Sequence, residues 1–205
     1  MRIRRLRRSE LPVATVALAR FLIGKIVVHD LPVGRVSGRI VEAEAYPPGD
    51  PAGHHYRGPT PRIRSMYLAP GHAYVFFNYG AHFMLNVSSE REGTAGGILI
   101  RALEPLEGIP LMEQNRGTTK FLDLTRGPGR LAAALQIDHR HDGMDLCGAE
   151  ALWLGQLKPM AIRMGRLRIA QTVRIGISRA ADLHLRFYEP GNRFVSGPKR
   201  LLEAV

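Results

Sequence analysis

Cysteine is nearly missing from this chain of 205 residues: Cys147 is the single one. It can build neither a disulfide framework nor a four-cysteine zinc site, which argues against a small secreted scaffold. Lysine is also scarce. Lys25, Lys120, Lys158 and Lys199 are the whole set, although lysine and arginine together number 29. Acids number only 18, which leaves a net charge of +11 and a pI near 10.6. Long hydrophobic runs are absent. Residues 18–28 are interrupted by Arg20 and Lys25, and the basic residues 1–8 have no continuous apolar stretch behind them. Neither a membrane span nor a signal peptide is therefore expected, and a cytoplasmic protein is. Without a secretory route the acceptor pattern Asn86-Val87-Ser88 carries no weight. No repeat or low-complexity linker divides the chain, and its length favours one domain over residues 1–205.

Hydrophobic residues make up 45% of the chain, enough for a real core. The basic excess is mostly arginine, whose planar fork donates paired hydrogen bonds to phosphate and sheds water readily. That favours a nucleic-acid partner over an anionic membrane surface or an acidic substrate. The pattern predicts a helix capped by Ser9, with Pro12 in its first turn and Gly24 at its end. Strands are expected over residues 25–30 and 35–46, around the turn Leu31-Pro32-Val33-Gly34. Residues 47–61 read as a loop. Residues 73–77 and 81–87 read as a hairpin about Asn78-Tyr79-Gly80. A strand at 98–103, helices at 106–116 and 130–135, and late strands at 173–177 and 184–188 follow. Short strands with few helices between them predict an α+β fold: one domain with a mixed, mostly antiparallel curved sheet, flanking helices and a protruding hairpin.

The chemistry concentrates in Arg39-Ile40-Val41-Glu42-Ala43-Glu44-Ala45-Tyr46. On an extended strand Glu42, Glu44 and Tyr46 share one face, and Val41, Ala43 and Ala45 the other. Two acids and a ring make a poor core and a reasonable cleft floor. A carboxylate there can deprotonate water and stabilise developing positive charge, as N-glycosidic cleavage requires. Ordinary surface acids at a strand end remain the alternative. The rings of Tyr74-Val75-Phe76-Phe77-Asn78-Tyr79-Gly80 could fill a core, but Tyr79 at the predicted turn could instead wedge between base pairs. Arg57, Arg62 and Arg64 surround Thr60-Pro61 and could grip phosphates. Gly127-Pro128-Gly129 could offer backbone N–H groups to phosphate or be an ordinary helix start. His54, His55, His72 and His82, and the run Asp138-His139-Arg140-His141-Asp142 with Asp145 and Cys147, match no zinc spacing, so no metal is expected. The glycines at 93–97 lack a dinucleotide or P-loop spacing, and no Ser-His-Asp or Cys-His arrangement is legible.

As a set, these pieces resemble the alkyladenine (3-methyladenine) DNA glycosylase family of the mammalian type. The resemblance rests on Ala17-Leu18-Ala19-Arg20-Phe21-Leu22-Ile23-Gly24-Lys25, Gly38 through Tyr46, Thr60-Pro61-Arg62, Pro70-Gly71-His72-Ala73-Tyr74-Val75 and Tyr79-Gly80. It continues in Asn86-Val87-Ser88, Leu99-Ile100-Arg101-Ala102-Leu103-Glu104-Pro105-Leu106-Glu107-Gly108, Gly127-Pro128-Gly129-Arg130-Leu131, Arg174-Ile175-Gly176-Ile177 and Leu185-Arg186-Phe187-Tyr188. It spans nearly the whole chain in order.

The resemblance implies a monofunctional glycosylase. It would flip an alkylated or deaminated purine out of double-stranded DNA and hydrolyse its N-glycosidic bond. Glu44 falls on the catalytic base and Arg101 on the arginine that positions the water. Tyr46, His54 and Phe76 fall on the walls of the base pocket. Asn86 falls on the residue that excludes guanine's amino group, and the backbone of Ile177 on a further water contact. Tyr79 falls on the intercalating residue. Arg57, Thr60, Arg62, Arg64 and Ala81 are the expected contacts to the DNA backbone. No cofactor, membrane or obligatory protein partner is implied, and a monomer is expected, nucleoid-associated if bacterial. Phe76 replaces a frequent tyrosine, Ala81 a larger residue, and residues 90–97 read as a longer loop. A non-catalytic basic nucleic-acid-binding module and an RNA-acting domain are the alternatives.

Overall fold

The structure is a computed structural model that describes residues 2–78, 80–157 and 167–198. Nine strands join in one sheet, and three α-helices and several 3-10 turns accompany it among the described residues. Strands β1 (Ile3–Arg5), β7 (Leu152–Leu157), β2 (Ile26–Leu31), β3 (Gly34–Tyr46), β6 (Gly97–Glu107), β5 (His82–Ser88) and β4 (Ala73–Asn78) lie side by side in that order. All their pairings are antiparallel. Two short strands, β8 (Ala170–Thr172) and β9 (Arg186–Tyr188), add to the same sheet. The expected α+β class and mostly antiparallel sheet are both present.

Strand β3 organises the molecule. Residues 37–46 pair with β6 on one side. On the other side β2 pairs with residues 34–39, and β9 takes over at residues 42–44. The acidic end of β3 therefore has a ladder on both sides, and both faces of residues 40–45 are buried. Register shifts on either side of Glu42 interrupt the expected alternation. Ala43 and Ala45 still pack into the main core, but Val41 joins Ala102, Tyr188, Phe194 and Val195 in a separate cluster. Gly38 is required where β3 crosses β6, because a Cβ there would meet that of Leu103 at 2.8 Å.

Helices α1 (Thr15–Leu22), α2 (Ile109–Arg116) and α3 (Pro128–Ala134) form the main core against β3, β5 and β6. Leu18, Leu22, Leu131 and Leu135 meet Ile40, Leu85, Ile98 and Ile100 in it. The first helix starts later than expected. Ser9 lies in a 3-10 turn (Arg8–Glu10), and Leu11 is extended at φ −82° and ψ 129°, as a residue before proline prefers. Its cap comes from far along the chain: the Glu90 carboxylate accepts the Thr15 N–H at 2.8 Å and its hydroxyl at 2.6 Å. The second helix also starts later, because β6 runs on to Glu107 and Gly108 turns left-handed at φ +75°. A Cβ at Gly108 would press on the Arg35 carbonyl. The expected strand over 173–177 is irregular backbone, and β8 ends at Thr172. Strands β1 and β7 carried no sequence signal strong enough to be read.

A buried histidine pair ties β2 to the 3-10 turn His139–His141. His29 Nδ1–H donates to the Leu135 carbonyl at 2.7 Å, which leaves Nε2 bare. His141 accepts the Asp138 N–H at Nδ1 (3.1 Å) and turns Nε2–H toward His29 Nε2 at 3.3 Å. Burial, with help from His141, lowers the His29 pKa. The unfolded chain binds this proton more readily than the native one. The stabilisation is thus complete above the unfolded pKa of about 6.5 and is lost as pH falls through the lowered native value. Urea unfolding between pH 7.5 and 5 should show a loss of stability that His29→Gln reduces. An identical pH dependence in both proteins would refute the assignment.

Candidate active site

Where β3 ends beside the β4–β5 hairpin, a cavity of about 400 Å³ opens. That volume lies in the range of small-molecule sites, about 300–1,000 Å³. Its walls bring together Tyr46, His54, Phe76, Asn86, Arg101 and Ile177, six positions singled out in the sequence. Five elements supply them: the end of β3, the 3-10 turn His54–Arg57, the hairpin, β6 and the irregular segment after β8.

Glu44 lies just behind this wall. It is 0% exposed, so the alternative of a surface acid is excluded. Three groups hold its carboxylate. Tyr46 donates its hydroxyl to Oε2 at 3.0 Å, Arg101 Nη1 approaches Oε2 at 3.2 Å, and the Ile175 N–H donates to Oε1 at 2.8 Å. All three of these residues line the cavity. The backbone contact to the acid thus comes from Ile175, two residues before Ile177, and it accounts for the irregular backbone there: this N–H is committed to Glu44. Burial raises the Glu44 pKa above its ordinary value, against the pull of Arg101. Burial and the adjacent carboxylate keep the Tyr46 phenol protonated.

The facing wall is aromatic. Phe76 stacks on Tyr74 with centroids 5.4 Å apart and meets the His54 ring edge-on at 4.6 Å. His54 Nδ1 and the Tyr74 hydroxyl are 2.9 Å apart. Partial burial lowers the His54 pKa, with Arg62 and His55 adding to the effect, which favours the neutral ring. Asn86 is anchored by its Nδ2, which donates to the Tyr74 carbonyl at 3.1 Å. That leaves its Oδ1 as an acceptor in the wall.

Arg57, Thr60, Arg62 and Arg64 are all exposed on the two 3-10 turns beside the cavity, His54–Arg57 and Pro61–Tyr67. Arg62 is tied to the hairpin through a 3.1 Å bond to the Phe77 carbonyl. Ala81 is exposed in the hairpin turn, where its N–H donates to the Asn78 carbonyl at 3.0 Å. Tyr79 lies outside the described residues. Gly127-Pro128-Gly129 begins α3, Pro128 reaches the cavity, and Gly129 packs on His82. The histidines serve separate purposes: His55 Nε2 pairs with the Pro47 carbonyl at 2.9 Å, and His72 Nδ1 with the Ala69 carbonyl at 2.8 Å. Among the described residues, no group of three or more His, Cys, Asp or Glu could hold a metal ion. No helix among them is long and apolar enough to cross a membrane.

A buried carboxylate backed by an arginine, next to an aromatic slot on a basic protein, narrows the possibilities, and comparison with known proteins decides the family. The model of the methylpurine-DNA glycosylase family matches residues 9–193. The chain belongs to that family. Its members are DNA glycosylases, hydrolases of the N-glycosidic bond. A provisionally named 3-methyladenine DNA glycosylase of Mesorhizobium japonicum is 58% identical over 196 residues, covering 96% of this chain and 92% of the relative. One from Paraburkholderia phytofirmans is 53% identical over 195 residues, covering 95% and 89%. A third, from Methanoculleus marisnigri, is 45% identical over 182 residues, covering 89% and 93%.

Several residues of this glycosylase site escaped the sequence reading. The guanidinium of Arg174 lies 4.6 Å from the centre of the Tyr46 ring. Its Nη2 pairs with Asp50 Oδ1 at 3.1 Å, and its Nη1 bonds both Asp50 and, at 3.0 Å, the Ala45 carbonyl. Both side chains of this pair are essentially buried, at 0% and 1% exposure. Arg174 stands in the quoted motif Arg174-Ile175-Gly176-Ile177, so a signal existed, but Asp50 sat unnoticed in a proline-glycine loop. Glu42, expected with Glu44 on a cleft floor, is instead fully buried and does not line the cavity; Arg186 stood in a named motif without a role, and Ser196 was missed. Breaking a buried ion pair from one side leaves an uncompensated charge and costs about 3–5 kcal/mol. Asp50→Ala should lose roughly that much in urea unfolding and loosen the Tyr46 wall. A loss within about 0.5 kcal/mol, the usual range for surface substitutions, would show that the pair does not brace this wall.

Proposed function

We propose that the protein is a monofunctional glycosylase that flips alkylated or deaminated purines out of duplex DNA and releases them by hydrolysis. One observation carries the reading: a fully buried carboxylate whose three holding groups, Tyr46, Arg101 and Ile175, all line a cavity walled by rings. The flipped base enters between Tyr46 and the His54–Phe76 wall. Cationic purines gain there from aromatic faces, and the positive ring charge makes them good leaving groups. The bond between the deoxyribose C1′ and the purine nitrogen breaks, and its electron pair leaves with the base. Water admitted beside Tyr46 and Arg101 attacks C1′ and gives its proton to Glu44. The carboxylate also stabilises the oxocarbenium-like charge on the sugar.

A desolvated carboxylate is a stronger base than one in water. Arg101 and the Ile175 N–H keep it ionised and aimed, and Tyr46 shields it until substrate and water arrive. Water is the nucleophile, so no lysine is needed and strand cleavage is not expected; of the described lysines, Lys25 and Lys120, neither lines the cavity. Arg57, Arg62 and Arg64 present exposed cations beside its mouth for phosphates on either side of the flipped nucleotide. Tyr79 would fill the gap left in the duplex, and a monomer suffices for every step.

Single-turnover excision on duplexes bearing 3-methyladenine, ethenoadenine or hypoxanthine tests this reading. Glu44→Gln should slow base release by about 10²–10⁴-fold while still binding the lesion duplex. Near-normal release by that variant would defeat the assignment. In the wild type the rate should fall as pH drops through the Glu44 pKa, at a midpoint above the usual carboxylate value of about 4.3. A midpoint at or below that value would contradict burial as the source of its basicity. Binding should weaken steeply with added salt if arginines neutralise phosphates.

A further inference from the structure

Glu42 is as deeply buried as Glu44, but of its partners only Arg101 lines the cavity. Three donors of the protein hold its carboxylate. Its Oε1 accepts Arg101 Nε at 3.0 Å and Arg186 Nε at 2.6 Å, and its Oε2 accepts the Ser196 N–H at 2.6 Å. Arg101 in turn reaches Glu44 with Nη1 at 3.2 Å. Arg186 closes the group by donating Nη2 to the Ser196 carbonyl at 2.7 Å. The result is one buried row, Arg186–Glu42–Arg101–Glu44, in which positive and negative charges alternate and cancel. Two register shifts accompany the row: the first leaves Val41 of β3 out of the pairing, and the second leaves out Arg101 of β6, between the pairs Glu42–Ala102 and Ala43–Ile100.

Arg101 is the only member of the row that touches both carboxylates. A lone buried arginine beside Glu44 would hold the acid so firmly ionised that it would become a poor base. A second carboxylate on the opposite edge of the same guanidinium takes up part of that field and clamps the fork in one plane. The geometry points to Glu42 and Arg186 as positioning residues for the reaction: they fix the orientation of the Arg101 guanidinium and set how much of its charge Glu44 experiences. The inference rests on the reading of Glu44 as the base that activates water.

The neighbouring charges agree in direction. After burial, Arg101 and the Ile175 N–H favour the ionised Glu44, whereas Glu42 favours its protonated form. The other titratable or charged groups facing the row are Tyr46 from β3, Tyr188 from β9 and Arg174 against the Tyr46 ring. Tyr188 has the Arg186 guanidinium 5.0 Å from its ring centre. None of these stands between Arg101 and either carboxylate, so Glu42 and Arg186 are the groups whose removal changes the field at Glu44 with opposite sign.

That opposition provides the test. Single-turnover pH profiles are measured on a hypoxanthine-containing duplex for the wild type, Glu42→Gln, Arg186→Gln and the double variant, after circular dichroism and melting confirm folding. Glu42→Gln frees Arg101 to pull harder on Glu44, so the acid limb should move to lower pH and the plateau rate should fall. Arg186→Gln leaves Glu42 under-neutralised, so the limb should move to higher pH. The double variant should return toward the wild type. Affinity for the lesion duplex should be unchanged in all of them, since neither Glu42 nor Arg186 lines the cavity. Folded variants that keep the wild-type limb, or single variants that shift it in the same direction, overturn the inference. If Glu42→Gln does not fold, Arg186→Gln and Arg186→Lys carry the test alone. Lysine retains the charge and should hold the limb near the wild-type position while glutamine raises it, and equal limbs in the two overturn the inference. Glu44→Gln separates the two levels: full activity there removes the reading of the base itself, whatever the Glu42 and Arg186 profiles show.

Discussion

The structure depends on a guanidinium placed where bare charge is not tolerated. Arg101 lies in the middle of the sheet, and its partner Glu42 is fully out of water. Isolated charges at such depth cost several kcal/mol each, so they persist only when neutralised and hydrogen-bonded in place. Neutralising Arg101 takes two carboxylates, and neutralising the second carboxylate takes Arg186. These demands fix much of the local fold. The β3–β6 register must shift on both sides of Glu42, β9 must pair with β3 beyond the end of β2, and the chain after β9 must return so that the Ser196 N–H reaches Glu42. A packed apolar strip would tolerate slippage there. The charge row does not, because any shift leaves a buried ion unpaired.

The cavity is built against this rigid floor. Tyr46 continues β3 past Glu44 and is backed by the buried Arg174–Asp50 pair, so one wall inherits its stiffness from ion pairing. The other wall is made by rings on the hairpin and by His54 on a short 3-10 turn, joined through the Tyr74 hydroxyl. Phe76, which lacks the hydroxyl frequent at that position in the resembled family, sits beside a tyrosine whose own hydroxyl engages His54. The helices lie against the main core formed by Ile98, Ile100 and Leu85 and hold β3, β5 and β6 in place, and Pro128 at the start of α3 also reaches the cavity. The exposed arginines sit on the turns next to the opening, where phosphates can reach them without displacing the buried ones.

Much of this was legible along the chain. The alternating pattern of β3, the turn before it, the hairpin and the α3 helix were all local in origin. The start of α1 was misplaced because its cap, Glu90, is 75 residues from Thr15. The strand expected at 173–177 failed for a related reason. Its apolar residues suit a strand, but Ile175 gives its N–H to an acid 131 residues away rather than to a ladder partner. Glu44, Tyr46, His54 and Phe76 could be singled out because acids and rings crowd a short stretch of sequence. Glu42 was set on the same face, but nothing local distinguished a structural acid from a solvent-facing one.

By itself, then, the sequence determined the α+β class, the arginine-rich basic charge, and which acids and rings were chemically capable. Only the tertiary structure decided which acid is held by three groups of the cavity wall and which is held farther inside. The physical reason is that the environment of a buried charge is set by its partners, and those partners are remote. Glu42 meets arginines 59 and 144 residues away, so its role becomes fixed only when β3, β6 and β9 are brought side by side.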